Sequence, residues 1–362
     1  MMMLRRNVTS VCALVLTASA LAGCSTAKAA EGSEEIALAS GADRQQMLEE
    51  GAADEGKLMW YTTTIPDQLA NPLAEAFEEK YPFADVEIYR ANSTDVASKV
   101  IKEYQAGSHF VDVVDGTGTA TMLESTDAIQ PFTSPELDAY PDSAKDPEGF
   151  SAPQLMYFMA VAYNTDMVSP DDVPQTYEDL LDPKWKGRMS WSTSPTSGGP
   201  LFLGNLMEAW GEDRAMDYFD DLAAQQMQNV DASGRAVLDR VISGQVPIGV
   251  QLFNDQIVDA ASKGAPVDWA PLNPVTAQYS RVALAKYPPH PHTAMLFLDF
   301  ILSEEGQEII RDGNGIPAHP EVDALTPELK PEQGGFEAQF TDPEQVMKQT
   351  NEWADLYEEM FM

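Results

Sequence analysis

Three consecutive hydroxyls, Thr62-Thr63-Thr64, directly follow the short apolar run Leu58-Met59-Trp60-Tyr61. Hydroxyls and backbone N–H groups at a strand end suit a polar ligand or an oxyanion, although threonines also bond their own backbone in turns. Gly116-Thr117-Gly118 takes the same place after the apolar stretch Phe110 to Val114, and its glycines let a ligand approach the backbone closely. Ser192, Thr193, Thr196, Ser197 and Gly198 belong to a hydroxyl- and glycine-rich loop ahead of a helical pattern that starts near Pro200. Exposed N–H groups at a helix start attract negative charge, which makes this loop the best anion-binding candidate. No lysine follows its glycines, so it is not a nucleotide-binding P-loop. Arg90, at the end of Val86-Glu87-Ile88-Tyr89, could pair bidentately with a phosphonate, phosphate or carboxylate, or with a nearby acid. Phe253, with Trp60, Tyr61 and Trp191, could form an aromatic wall, although such residues more often fill a core.

Other chemistries find little support. The four histidines, His109, His290, His292 and His319, form no HxxxH or HExxH pair, so a zinc site has no motif behind it. There is no Gly-x-Ser-x-Gly elbow and no GxGxxG opening a helix after a strand. Acidic residues are numerous, yet nothing singles out two of them as a catalytic pair. We therefore expect no catalytic residue, no metal and no cofactor, and an extracellular hydrolase on an α/β scaffold is the other class left open.

The candidate loops are positioned by alternating elements. Leu58–Tyr61 reads as a buried strand, and Leu69, Leu73, Ala76 and Phe77 recur at helical spacing. A strand at 86–89, a helix at 95–105 and a strand at 110–114 complete a β-α-β-α-β opening, the signature of an open parallel sheet. Ligands of such sheets bind beyond the carboxyl ends of the strands, where the loops above lie. Further along, strands are expected at 158–163, 189–191, 247–252 and 280–286, with helices at 201–210, 213–226, 235–243, 254–263, 292–302 and 344–360.

The chain has 362 residues, with 22 basic and 58 acidic side chains and a net charge of −36. Such a surface repels nucleic acid and anionic headgroups, so no nucleic-acid partner is expected. Arg5 and Arg6 precede an apolar run from Val11 to Gly23 that is too short to span a bilayer and fits the core of an export signal. It ends in Leu21-Ala22-Gly23-Cys24, which resembles a bacterial lipobox with Cys24 as the lipidated residue. Residues 1–23 then form a lipoprotein signal peptide, and 24–55, rich in Ala, Ser, Gly and Glu, a tether with a short helix near Asp43 to Gly51. Cys12 and Cys24 are the only cysteines, so the body after the tether holds no disulfide. The protein is expected to be exported and held by lipid on the outer face of the cytoplasmic membrane.

Ala162-Tyr163-Asn164, Asp179-Leu180-Leu181-Asp182-Pro183-Lys184-Trp185-Lys186-Gly187-Arg188, Lys263-Gly264-Ala265-Pro266-Val267, His290-Pro291-His292-Thr293-Ala294 and Phe297 to Gln307 resemble the ferric-iron-type extracellular solute-binding proteins of ABC importers. The resemblance covers about Lys57 to Pro320. It implies an α/β, two-lobed periplasmic-binding fold of type II with a hinge between the lobes. Lobe 1 would hold 56–157 and 283–332, and lobe 2 would hold 158–282 and 333–362. A monomer would pass its ligand to a membrane permease. Relatives with this signature carry ferric ion, thiamine, phosphonates, polyamines or sugar phosphates. The iron carriers use adjacent tyrosines in the segment matching Ile248 to Asp255, where this chain has Phe253 and Asn254. Hard ferric ion needs oxygen anions that this pair cannot supply. The ligand expected is therefore a small organic anion, a phosphonate or phosphate ester, with ferric iron or an iron–anion complex as the alternative. Tyr163 and Tyr279, with Tyr61 and Tyr157, are the tyrosines that could still reach the cleft.

Overall fold

The computed structural model describes residues 32–195 and 197–362, so the readings made for Cys24 and Thr196 lie outside the described residues. Its first elements are the helices α1 (Ser33–Ala37) and α2 (Arg44–Glu55). The tether expected over 24–55 is thus, from Ser33 onward, folded against the body. Ala37, Leu48 and Ala52 are fully buried. Arg44 grips Asp299 with two N–H groups, at 2.5 and 3.1 Å, and donates to the carbonyls of Ala39 and Thr133, each at 3.0 Å. Alanine buries little area per residue, so an alanine-rich docking face reads as linker composition.

The β-α-β-α-β opening consists of β1 (Leu58–Thr62), α3 (Asn71–Lys80), β2 (Val86–Arg90), α4 (Ser93–Gln105) and β3 (Val113–Gly116). β1 lies between β2 and β3 and is parallel to both. The third strand starts later than the apolar pattern suggested: Phe110 lies outside it and is 56% exposed. A short helix α5 (Thr119–Glu124) and strand β4 (Ile129–Gln130) follow. The chain then enters the long strand β5 (Ala152–Asn164).

The second parallel set is β6 (Met189–Ser192), β7 (Gln228–Val230) and β8 (Ile248–Phe253), with β6 in the middle. Helices α6 (Gly199–Trp210), α7 (Glu212–Ala223), α8 (Gly234–Ile242) and α9 (Asn254–Ser262) connect and cover these strands. After β9 (Val267–Ala270), the long strand β10 (Val275–Ala285) returns to the first set. The rest of the chain is α10 (Pro291–Leu302), α11 (Glu304–Asp312), β11 (Ile316–Pro317), α12 (Pro331–Gly334), β12 (Ala338–Phe340) and α13 (Pro343–Phe361).

The sheet runs β2-β1-β3-β10-β5-β8-β6-β7. The antiparallel pair β10–β5 therefore joins two parallel halves. Its register runs from Thr276 opposite Met159 to Val282 opposite Ala152, with a bulge at Ser280/Arg281. Both strands begin several residues earlier than their apolar cores at 158–163 and 280–286 suggest. The added stretch of β5 contains Pro153 and the buried polar Gln154, and that of β10 the buried polar Thr276 and Gln278. Separate cores lie on either side. One is centred on Trp60, Phe77 and Phe297, the other on Trp191, Phe202 and Phe219.

His290-Pro291-His292 is the entrance to α10. The buried Asp112 accepts from the His290 N–H at 2.7 Å and meets its Nδ1 at 2.9 Å. Glu55 accepts from the N–H groups of His292 and Thr293 and from the Thr293 hydroxyl. Two carboxylates thus face the positive end of a helix. Hydrogen bonding to Asp112 pushes the His290 pKa up, against partial burial, while burial pushes the Asp112 carboxyl up. A raised imidazole pKa gives stability that is complete below the unfolded value of about 6.5 and is lost as pH climbs through the folded value. His290→Gln should therefore cost more stability at pH 6 than at pH 9, measured by urea unfolding. Equal losses at both values would show that the imidazolium charge contributes nothing.

Candidate functional site

β1 and β3 of the first half and β6 and β8 of the second direct their carboxyl ends toward the junction of the two halves. There the described residues enclose a cavity of about 400 Å³. One wall is built by Ser93 and Thr94 at the start of α4, and by Thr117, Gly118, Thr121 and Met122 around α5. Ser197 and Phe253 come from the other half, and Gln278 and Tyr279 from the joining strand β10. The remainder comes from the C-terminal segment, including Val346 and Met347 of α13.

The expected contacts divide clearly. Thr117, Gly118, Ser197, Phe253 and Tyr279 line the cavity. Gly116 lies behind it with φ of 142°. A Cβ there would sit 2.3 Å from the Thr119 hydroxyl and 2.8 Å from the Thr63 methyl, so only glycine fits.

Thr62-Thr63-Thr64 is used for turn chemistry and does not line the cavity. Thr62 is fully buried and its hydroxyl accepts the Thr64 N–H at 2.9 Å. Thr63 donates its N–H and hydroxyl to Asp115 at 2.9 and 3.1 Å, and Trp60 donates its indole N–H to the same carboxylate at 2.8 Å. Asp115 is fully buried, and burial pushes its pKa up against these hydrogen bonds. Thr63, with the Thr64 hydroxyl at 3.5 Å, thus serves a structural carboxylate that ties the ends of β1 and β3 together.

Arg90 is exposed, its guanidinium 3.5 Å from the Thr63 carbonyl, and it is not part of the cavity wall. Tyr163 sits four positions along β5 from Met159, the residue opposite Phe253, and its hydroxyl donates to Asp268 at 3.2 Å. Asn254, the first residue of α9, is buried with its amide nitrogen 3.4 Å from the Leu329 carbonyl. Ser192 is buried and donates to the Ala232 carbonyl at 2.5 Å, while Thr193 bonds back toward Val230 and Asp231. Gly198 is required by close packing, because a Cβ would lie 2.2 Å from the Ser192 carbonyl oxygen.

Sequence reasoning missed Ser93, Thr94, Thr121 and Met122, and all of α13. Ser93 does carry a signal: it follows Asn92, whose side chain caps α4 by accepting the Asp95 N–H at 2.9 Å. A capped helix start directly after a strand end marks a cleft position.

The wall is uncharged. It offers hydroxyls, amides, two aromatic rings and thioethers, and none of its residues is Asp, Glu, Lys, Arg or His. The starts of α4 and α5 lie in the wall and that of α6 next to it, and the N–H groups of a helix start favour negative charge. Among the described residues no group of three or more His, Cys, Asp or Glu side chains could hold a metal ion, and no helix is long and apolar enough to cross a membrane.

A sequence model of the bacterial extracellular solute-binding proteins matches residues 72–338. The chain belongs to this family. A Haemophilus influenzae member of the curated proteins, itself described only as uncharacterized, is 26% identical over 268 residues, covering 70% of this chain and 75% of its own. The periplasmic binding protein AfuA of Actinobacillus pleuropneumoniae, solved with fructose-6-phosphate, is 22% identical with a TM-score of 0.68, covering 84% of this chain and 98% of its own. The Trichodesmium protein IdiA (FutA), solved with iron and citrate, is 20% identical with a TM-score of 0.71, covering 84% and 99%. The fold is that of type II periplasmic binding proteins, as expected from the resemblance. This solute-binding protein is not an enzyme, and its family places it outside the cytoplasm.

Proposed function

We propose that the protein is the solute-binding component of an ABC importer and that it captures a small organic anion, a phosphate ester or phosphonate, between two lobes. Lobe 1 comprises 33–157 and 283–332, and lobe 2 comprises 158–282 and 333–362, with β5 and β10 as the hinge. The observation that carries the ligand reading is the cavity wall: hydroxyls and two helix starts, with a third next to it and no ionisable side chain but Tyr279. An oxyanion can be held there by dipoles and N–H groups alone. Arg90 has no part in this reading. The fructose-6-phosphate bound by AfuA supports it. Iron held with citrate, as in the Trichodesmium protein, is the competing ligand, and it would draw on Tyr279.

The test is a thermal-shift screen across phosphate esters, phosphonates and ferric citrate. Ligand at 100 times Kd should stabilise the protein by about 2.7 kcal/mol. The expected hit is an organic phosphate or phosphonate, with no tyrosinate-to-iron absorption band on adding ferric citrate. Such a band would replace this reading with the iron one. The binding protein is further proposed to act as a monomer, delivering to a membrane permease and held by lipid on Cys24. Release of a Cys24→Ser variant into the soluble fraction would support the anchor, and its retention on membranes would refute it.

A further inference from the structure

The segment after residue 338 lies beyond the family match, yet it completes the cavity. β12 pairs in parallel with the start of β10, and the Phe340 ring stacks on Tyr279 at 4.2 Å and 9°. The segment is thereby hung from the hinge. At its other end α13 is locked to α6. Trp353 and Tyr357 are buried there, packed where Gly204 and Gly199 leave room. Asn229 accepts from the Tyr357 hydroxyl at 2.6 Å and from the Trp191 indole at 2.8 Å, and donates to the Phe361 carbonyl at 2.6 Å. With both ends fixed, Val346, Met347, Thr350 and Asn351 are held in the cavity wall together with Thr121 and Met122 of lobe 1.

The side chains on that stretch are chosen for carbon rather than charge. Val346 and Met347 line the cavity with Phe253 beside them. The Thr350 hydroxyl is spent on the Val346 carbonyl within the helix. Met347 is 42% exposed although it belongs to the wall, so apolar surface stands open to solvent at the mouth. The same wall holds the hydroxyls of Ser93, Thr94 and Thr117 and the start of α4. Hydroxyls and a helix start predominate on lobe 1, with Met122 among them, while α13 contributes the apolar Val346 and Met347 beside the amide of Asn351.

We infer that α13 is the specificity wall of the cleft, and that it selects organic anions whose acidic head meets lobe 1 while a carbon moiety packs against Val346, Met347 and Phe253. This rests on the organic-anion reading above. Burying carbon on this face is favourable in proportion to the area removed from water, whereas a bare oxyanion gains nothing from it. Discrimination should therefore depend on the ligand's carbon part and on these side chains.

Isothermal titration of inorganic phosphate, methylphosphonate, butylphosphonate and phenylphosphonate tests this in the full protein. Wild type should bind butyl- or phenylphosphonate at least tenfold more tightly than methylphosphonate. The double variant Val346→Asn, Met347→Asn should reduce that preference to less than threefold. Unchanged circular dichroism and an unchanged tryptophan emission maximum would show that α13 is still docked. If the variant unfolds or undocks α13, Met347→Gln alone should still lower the preference, because this side chain is partly exposed and seated on the rim. Retention of the full preference in the docked variants overturns the inference and leaves the organic-anion reading intact. Failure of wild type to bind any of the four overturns both.

Discussion

Arg44→Ala should lower the unfolding free energy by about 3–5 kcal/mol, the loss expected when one partner of a buried ion pair is removed. The size of the effect follows from what is left behind. Asp299 is largely buried on α10 and receives two of the Arg44 N–H groups. Burial already pushes its carboxyl up, and Arg44 is the main opposing influence. Without Arg44 the carboxylate would be protonated or hydrated at the expense of packing, the Thr133 carbonyl would lose its Arg44 donor, and the Ala39 carbonyl would keep only the Thr133 hydroxyl. An exposed arginine on a tether would give a change within about 0.5 kcal/mol. Chemical denaturation of the two proteins therefore decides whether residues 33–55 belong to the cooperative body. A change below about 1 kcal/mol would return them to the status of a linker.

Gly204→Leu should displace α13 from α6, lower stability by about 3 kcal/mol and weaken ligand binding at least tenfold. Helix propensity alone argues the reverse, since leucine exceeds glycine by up to about 1 kcal/mol inside a helix. Geometry outweighs it. A Cβ on Gly204 would lie 2.4–2.6 Å from three atoms of the Trp353 indole. Overpacking costs about 1–3 kcal/mol and more where the neighbour cannot yield. A rigid bicyclic ring pinned by its own helix yields little, and expelling it forfeits the burial of an aromatic side chain. Tryptophan emission, to which Trp353 is one of six contributors, should shift to longer wavelength as that ring becomes exposed, together with the loss of affinity. An unmoved emission maximum with intact affinity would show that α13 accommodates the larger side chain in place.

The amino-acid sequence by itself determined the alternating α/β architecture and where its strand ends lie, because strands such as Leu58–Tyr61 and helices such as 292–302 declare themselves through local apolar patterns. The signature phrases around Asp179–Arg188 and His290–Ala294 also sufficed for the family. Gly116 and Gly118 were legible as glycine positions, because both take a positive φ that glycine adopts freely. What no local pattern could settle was which polar groups at those strand ends remain available. Thr62 to Thr64 and Ser192 have the composition of a binding loop, but Asp115, more than fifty residues from the threonines, claims two of them, and the Ala232 carbonyl claims the serine. Arg90 was placed at the right strand end with no way to know that its side chain stays outside the cavity.

The starts of β5 and β10 were missed for a related reason. Pro153 and the buried Gln154 break the apolar run at the start of β5, and Thr276 and Gln278 are buried although polar at the start of β10, so neither start reads as a continuous apolar core. The alanine-rich face of α1 and α2 hid a docking surface inside linker-like composition. The contribution of α13 was decided by tertiary structure alone. Its amphipathic pattern said that one face is buried, but not that Val346 and Met347 would be carried back across the chain to close a cleft built more than 200 residues earlier. That placement depends on two glycines of α6, on Asn229 and on the stacking of Phe340 with Tyr279, contacts between segments whose sequences carry no record of one another.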